Sequence, residues 1–405
     1  MWLNSGNMSV YAATLTNPHS MQGYITNYDD LHYYMNYKMI RGVTPKEEWK
    51  HSYTLRRVGL YVVGYPIFFV FGFYWGGEIT SFLIVLFAFL YFIRFIRKKY
   101  GVPAAYAGML LCSCYTGIMY WIGSPFAQNT IFPISVLVYI IMYNLENTEN
   151  LKQAILWWIL LGILFTGYDL FILFLPAVFF YYCSKRKWLW AFLSALFIFL
   201  PQVLVELALQ SYGALAHNEN KDLYLVILNA WLTQFTLPDF IQHLKELPQI
   251  FVQNILDTGF IVLPSLFLVI FSVAQIAYRF KLNKIETSLL LGMLWLWLFL
   301  NLAPTYAHHW QLRGVDMARI YQPLFIVMVM YIVRFANYLS HTNKTRIRAY
   351  FILLFFSFFT CVWLNTGGWF ENKITQKMYR NFYRHSDDDA YLKNIAHFGK
   401  RPLGF

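Results

Sequence analysis

The sequence predicts an all-α, polytopic transmembrane helical bundle of about ten spans with an external loop of juxtamembrane helices. Composition is the first ground: of 405 residues, 58% are hydrophobic, 20% aromatic and only 13% charged, a balance foreign to water-soluble domains. The second is that apolar runs able to cross ~30 Å of hydrocarbon, at about 1.5 Å per residue, recur from residue 77 almost to residue 367. They are rich in Leu, Phe and Ile and lack barrel-like alternation. A bilayer offers no partner for a backbone N–H or C=O, so such runs are helices. The third is the placement of the +12 formal charge in short basic clusters beside apolar ends. That is the positive-inside pattern, and it argues against a nucleic-acid surface.

Residues 1–28 are polar, have no basic start followed by an apolar core, and read as loop. Asp29 and Asp30 open a short helix over 29–41, and Thr44-Pro45-Lys46-Glu47 starts a second with an N-cap, a proline at the first position and an acid at the third. Residues 58–75 are apolar but interrupted by Gly59, Gly64, Pro66 and Gly72, which predicts a short helix lying at or dipping into the interface. Residues 78–96 form the first full span, held to the inner side by Arg94, Arg97, Lys98 and Lys99. Spans then alternate over 102–122, 131–145, 153–167, 170–183 and 188–208, with Lys185-Arg186-Lys187 inside. A long outer segment over 209–254 precedes spans at 256–278, 285–303, 320–338 and 349–367.

The organisation expected is therefore an external N-terminal region over 1–76, a helical domain over 77–367 and an external tail over 368–405. Basic clusters fall on one side at four successive returns, which puts the opening stretch and residues 123–130, 209–254 and 304–319 on the other. An external N-terminus implies either a span before residue 1 or carriage by the first helices. The four cysteines lie within or beside apolar segments and read as small core or lipid-facing residues.

Chemistry has few addresses in such a chain. Asp29 and Asp30 suit a general base that takes a proton from an acceptor hydroxyl as positive charge develops at a sugar carbon; the plainer alternative is a pair of acids complementing a helix N-terminus. His32, Tyr33 and Tyr34 offer stacking faces and hydroxyls to a sugar, or belong to an interfacial aromatic belt. Arg56 and Arg57 break the positive-inside trend, which a lipid-linked phosphate would explain; so would loop charge paired with Glu47 and Glu48. Asp169 sits at an outer helix boundary, and Arg319 enters an apolar helix, where a cation needs a partner such as phosphate. Glu206 is a lone carboxylate near the outer end of its span. His308-His309 and the acidic run Asp387-Asp388-Asp389 do not have metal-site spacing, so no cofactor is assigned and a divalent metal has no specific motif.

The order Asp29-Asp30-Leu31-His32-Tyr33-Tyr34, then Leu55-Arg56-Arg57-Val58 and Tyr65-Pro66, resembles the GT-C superfamily of integral-membrane glycosyltransferases. Its branch with protein O-mannosyltransferases and aminoarabinose transferases is the most similar. The basic span end over Phe92 to Gly101 and the helix entry Arg319-Ile320-Tyr321-Gln322-Pro323 fit the same pattern. The loop over 124–129 lacks the acid that many members carry, which argues against a two-carboxylate or metal-assisted mechanism. The resemblance implies a polyprenyl-phosphate sugar donor and a lipid, glycan or protein acceptor, with chemistry on the periplasmic, lumenal or exterior face of what is expected to be a bacterial inner membrane. Asp30 would be the base with Asp29 beside it, Arg56, Arg57 and Arg319 would hold the donor phosphate, and His32, Tyr33, Tyr34 and Asp169 would line the sugar or acceptor site. The competing expectation is a transporter or flippase of a lipid-linked glycan, which would need broken helices in corresponding halves.

Overall fold

The computed structural model describes residues 59–114, 130–168, 171, 175–211, 229–257, 262–304, 322–342 and 344–366. Among these all regular structure is helical: α1 Gly59–Cys114, α2 Ile131–Glu146, α3 Leu151–Phe165, α4 Leu175–Ser184, α5 Trp188–Ser211, α6 Leu237–Asp257, α7 Val262–Tyr278, α8 Lys284–Asn301, α9 Gln322–Thr342 and α10 Lys344–Thr366.

Although α1 has 56 residues of helical backbone, it is not a rod. Gly101 has φ +84°, and a Cβ on Gly108 would stand 2.8 Å from Ile96 Cδ1. A straight helix would hold positions 96 and 108 about 18 Å apart, so the chain reverses at Gly101, where only glycine takes that φ without strain. A second reversal precedes Gly76, because a Cβ there would lie 2.7 Å from Phe68 Cα, and one on Gly64 would meet Thr80 at 2.5 Å. The predicted short segment, first span and return thus appear as three limbs joined by helical turns.

Among the described residues three stretches are long and apolar enough to cross a membrane: Ile79–Ser113, Trp188–Ser211 and Pro323–Thr342. The first contains the Gly101 reversal, so it comprises two limbs. The apolar helices α2 and α3, at 16 and 15 residues, reach about 22–24 Å. Two differences from the sequence expectation have local causes. The predicted span at 170–183 contains a helix of only ten residues, Leu175–Ser184, with Pro176 in its first turn. The predicted outer segment over 209–254 contains α6, whose start is set by Thr236: its Oγ1 accepts from Asp239 N at 3.3 Å and donates to Asp239 Oδ2 at 2.6 Å.

The outer surface of the bundle is apolar. On α5, Leu189, Phe192, Leu196, Leu200, Leu204 and Leu207 are exposed along one helical face, while Ala191, Ser194, Ile198, Pro201 and Gln202 are buried along the other. A water-soluble protein would expose polar groups on the first face; lipid accepts this one. A Cβ on Gly162 would lie 2.3 Å from the Ile198 carbonyl, so α3 and α5 cross with backbones nearly touching. α9 is the hub. It packs on α1, α2, α7, α8 and α10, and Phe325 to Val333 is buried without interruption. Tyr350 of α10 donates to the Ile332 carbonyl at 2.8 Å, tying α10 to that hub. α6 lies against the end of α8: Phe251 meets Trp297 edge-on at 6.0 Å, and Trp231 just before it donates to the Phe299 carbonyl at 3.1 Å.

Candidate functional site

The basic turns that the sequence assigns to one side come together at one end of the bundle. Lys99 Nζ lies 4.7 Å from the Tyr143 ring, Arg346 donates to the Tyr278 hydroxyl at 3.0 Å, and the loops after α2 and α4 meet the start of α8. Two polar arrangements are built there.

The first is a buried ion pair. Asn283 Oδ1 accepts from Glu286 N at 2.7 Å and Asn283 N donates to Glu286 Oε2 at 3.0 Å, a capping box that starts α8. The same Oε2 accepts from Arg334 Nη1 of α9, and Arg334 Nη2 reaches the Lys281 carbonyl at 3.2 Å. The Glu286 side chain is 0% exposed and that of Arg334 17%. The Arg334 guanidinium also lies 5.0 Å from the Phe280 ring. Phe280 is fixed in turn, because its carbonyl accepts from Tyr331 at 2.9 Å and from Gln275 at 2.6 Å. Tyr100 of α1 and Tyr139 of α2 stand close enough to feel both charges. Limbs of α1, α2, α7, α8 and α9 therefore converge on one carboxylate–guanidinium pair. Neither residue is singled out by the sequence reading; the signals were the Asn283-x-x-Glu286 spacing and a cation inside an apolar run.

The second is a cavity of about 360 Å³, lined by Leu145 and Glu146 at the end of α2 with Thr148 and Glu149 after it, by Tyr181, Tyr182 and Ser184 of α4 with Lys185 to Lys187 after it, and by Lys284 of α8. Arg186 holds φ 57°, and Lys187 N returns to the Tyr182 carbonyl at 3.0 Å, so the turn is tight and gathers three cations. Lys185 Nζ stands 4.8 Å from the Tyr181 ring and Lys187 Nζ 4.3 Å from the Trp190 ring. Burial pushes the Lys185 ammonium below the ordinary lysine range; Glu146 opposes that shift, and Lys284 and Lys187 add to it. Tyr182 accepts from Trp158 Nε1 at 3.1 Å, whereas the buried Tyr181 hydroxyl has no hydrogen-bond partner among the described residues. Among the described residues no ion pair joins the cavity's acids to its cations.

The sequence-predicted site residues Asp29, Asp30, His32, Tyr33, Tyr34, Arg56, Arg57, Asp169 and Arg319 lie outside the described residues, as do His308, His309 and the acidic run at 387–389. Described neighbours flank two of them. Tyr168, just before Asp169, is buried against Phe171, and the next residue but one before it, Thr166, closes α3; Gln322 opens α9. The opposite ends of these helices, Leu151 and Thr342, are the ends near the basic turns. Thr130 Oγ1 donates to the Gly167 carbonyl at 3.4 Å, joining the far ends of α2 and α3. Glu206 stands in the last turns of α5, partly buried. Among the described residues no group of three His, Cys, Asp or Glu side chains is placed to hold a metal. Comparison with protein-family models, curated proteins and solved structures finds no match to this chain.

Proposed function

We propose that this chain is a GT-C-type membrane glycosyltransferase of about ten spans that moves a sugar from a polyprenyl-phosphate donor to a lipid, glycan or protein acceptor. The observation that supports it most is the gathering of the basic turns at one end, because the helix ends that lead into the motif-bearing stretches then belong to the other. With basic turns facing the cytoplasm, that far end is the external face, where a lipid-linked donor needs cations and a base but no nucleotide-binding domain. α6 supports the same assignment: a juxtamembrane helix with Leu237, Ile241, Leu244 and Phe251 exposed along it suits the interface above a bundle.

In the proposed reaction Asp30, with Asp29 beside it, accepts the proton of the acceptor nucleophile while the sugar–phosphate bond breaks. Arg56, Arg57 and Arg319 take the charge left on the polyprenyl phosphate, which is the leaving group and needs no separate acid. His32, Tyr33, Tyr34 and Asp169 line the sugar and acceptor. The test is transfer of radiolabelled sugar from a set of polyprenyl-phosphate donors into membrane acceptors by the purified full chain. Transfer by the wild type, with a loss of at least about a hundredfold in a Asp29→Asn/Asp30→Asn double variant, supports the assignment. Transfer at the wild-type rate by that variant removes the two aspartates from the chemistry. Substrate-dependent flux of a lipid-linked glycan in proteoliposomes without transfer would make the chain a transporter instead.

A further inference from the structure

The lining of the basic-end cavity includes none of the residues assigned to the proposed transfer site. Lys185, Arg186, Lys187 and Lys284 share it with Glu146 and Glu149, yet among the described residues no cation pairs with either acid. Exposed ion pairs are worth little, so charges left unpaired here stay available to a ligand. The tight Arg186 turn and the α8 start set the backbone positions of Lys185, Lys187 and Lys284. Among the described residues the Tyr181 hydroxyl, buried on the same lining, has no partner, a state that a ligand atom would relieve. At about 360 Å³ the cavity is at the small end of ligand pockets, wide enough for a polar headgroup. Beside it α5 begins with exposed Trp188 and Leu189, so a headgroup there could lead directly to chains along the apolar α5 face.

We propose that this cavity binds a phospholipid headgroup from the adjacent leaflet, with its phosphate on Lys185, Lys284 and the Tyr181 hydroxyl and its hydrogen-bond-donating end on Glu146 and Glu149. That end is a hydroxyl or a primary ammonium. A choline headgroup carries the phosphate but no donor, so it leaves both carboxylates unmatched. The three lysines outnumber the two acids, which favours an anionic glycerol headgroup over a zwitterionic one. The site is independent of the transferase proposal and stands or falls without it.

Purified full-length protein in neutral detergent would be titrated with phosphatidylglycerol, phosphatidylethanolamine or phosphatidylcholine of equal chain length, and bound lipid counted by native mass spectrometry. Inorganic phosphate serves as the soluble arm. Phosphatidylglycerol should bind best and phosphatidylcholine worst, with about a fivefold loss for Lys185→Gln and again for Lys284→Gln. Tyr181→Phe removes only the unpartnered hydroxyl, so it should weaken lipid binding while the lipid-free protein unfolds at the wild-type temperature or above it. Glu146→Gln/Glu149→Gln should narrow the margin over phosphatidylcholine. Equal binding of all three lipids, or wild-type binding by the lysine and Tyr181 variants, would overturn the proposal. Complete displacement of lipid by millimolar phosphate would also do so, by making the site one for free phosphate.

Discussion

At the residue scale the strongest commitment in the described structure is Glu286 with Arg334. Neither charge could stay in an apolar bundle alone, since desolvation costs several kcal/mol per ion and only a close, hydrogen-bonded partner offsets it. Glu286→Ala leaves Arg334 with the Lys281 carbonyl and the Phe280 ring, so it should destabilise the fold by about 3–5 kcal/mol in detergent unfolding. Glu286→Met/Arg334→Met removes both charges together and should recover most of that loss; if the double variant is as unstable as the single, the pair is not the source. The sequence carried half of this. Asn283 and Glu286 show the capping-box spacing within four residues, but their partner lies 48 positions away on α9, and no local pattern reports which apolar helix faces which. The same limit applies to the lone Tyr181 hydroxyl, because an unpartnered group is defined by what surrounds it in space.

At the element scale, most helix boundaries follow from apolar length and the polar residues that end it. The predicted spans at 131–145, 188–208 and 285–303 correspond closely to α2, α5 and α8, since each begins or ends where charge or an Asn cap interrupts an apolar run. α6 was less legible. Its apolar residues recur at helical spacing, but its low overall hydropathy falls below any span threshold, and the Thr236 cap was the available signal. Turns respond to backbone conformation, which gives two predictions of opposite sign. Gly101 at φ +84° reverses α1, so Gly101→Ala should cost about 1–2 kcal/mol. Arg279 holds φ 51° after α7, with Phe280 N returning to the Ala274 carbonyl at 3.0 Å, so Arg279→Gly should raise stability by up to about 1 kcal/mol. Thermal unfolding of both variants in one detergent checks the pair of signs.

At the scale of the whole molecule the question is which end faces which compartment. Charge gives the answer its direction: α2, α4, α7 and α9 all run into the end where Lys99, Lys185, Lys187, Lys284 and Arg346 gather, and positive turns resist translocation. That alternation was legible because charge and hydropathy are one-dimensional signals. The packing order was not, since α9 sits at the centre although it is the ninth of the described helices, and α5 lies at the edge although it is more apolar. Single cysteines placed at the exposed positions Asn147 and Arg186, in a chain whose own four cysteines are replaced, should therefore react with a membrane-impermeant maleimide only in inverted vesicles. A cysteine at Asn129, before α2, should react only in intact cells. Labelling of the Asn147 and Asn129 positions from the same side would mean that α2, at 16 residues, does not cross. The external face assigned to Asp29, Asp30 and Arg319 would then lose its physical basis, because that assignment depends on α2 and its neighbours connecting two compartments.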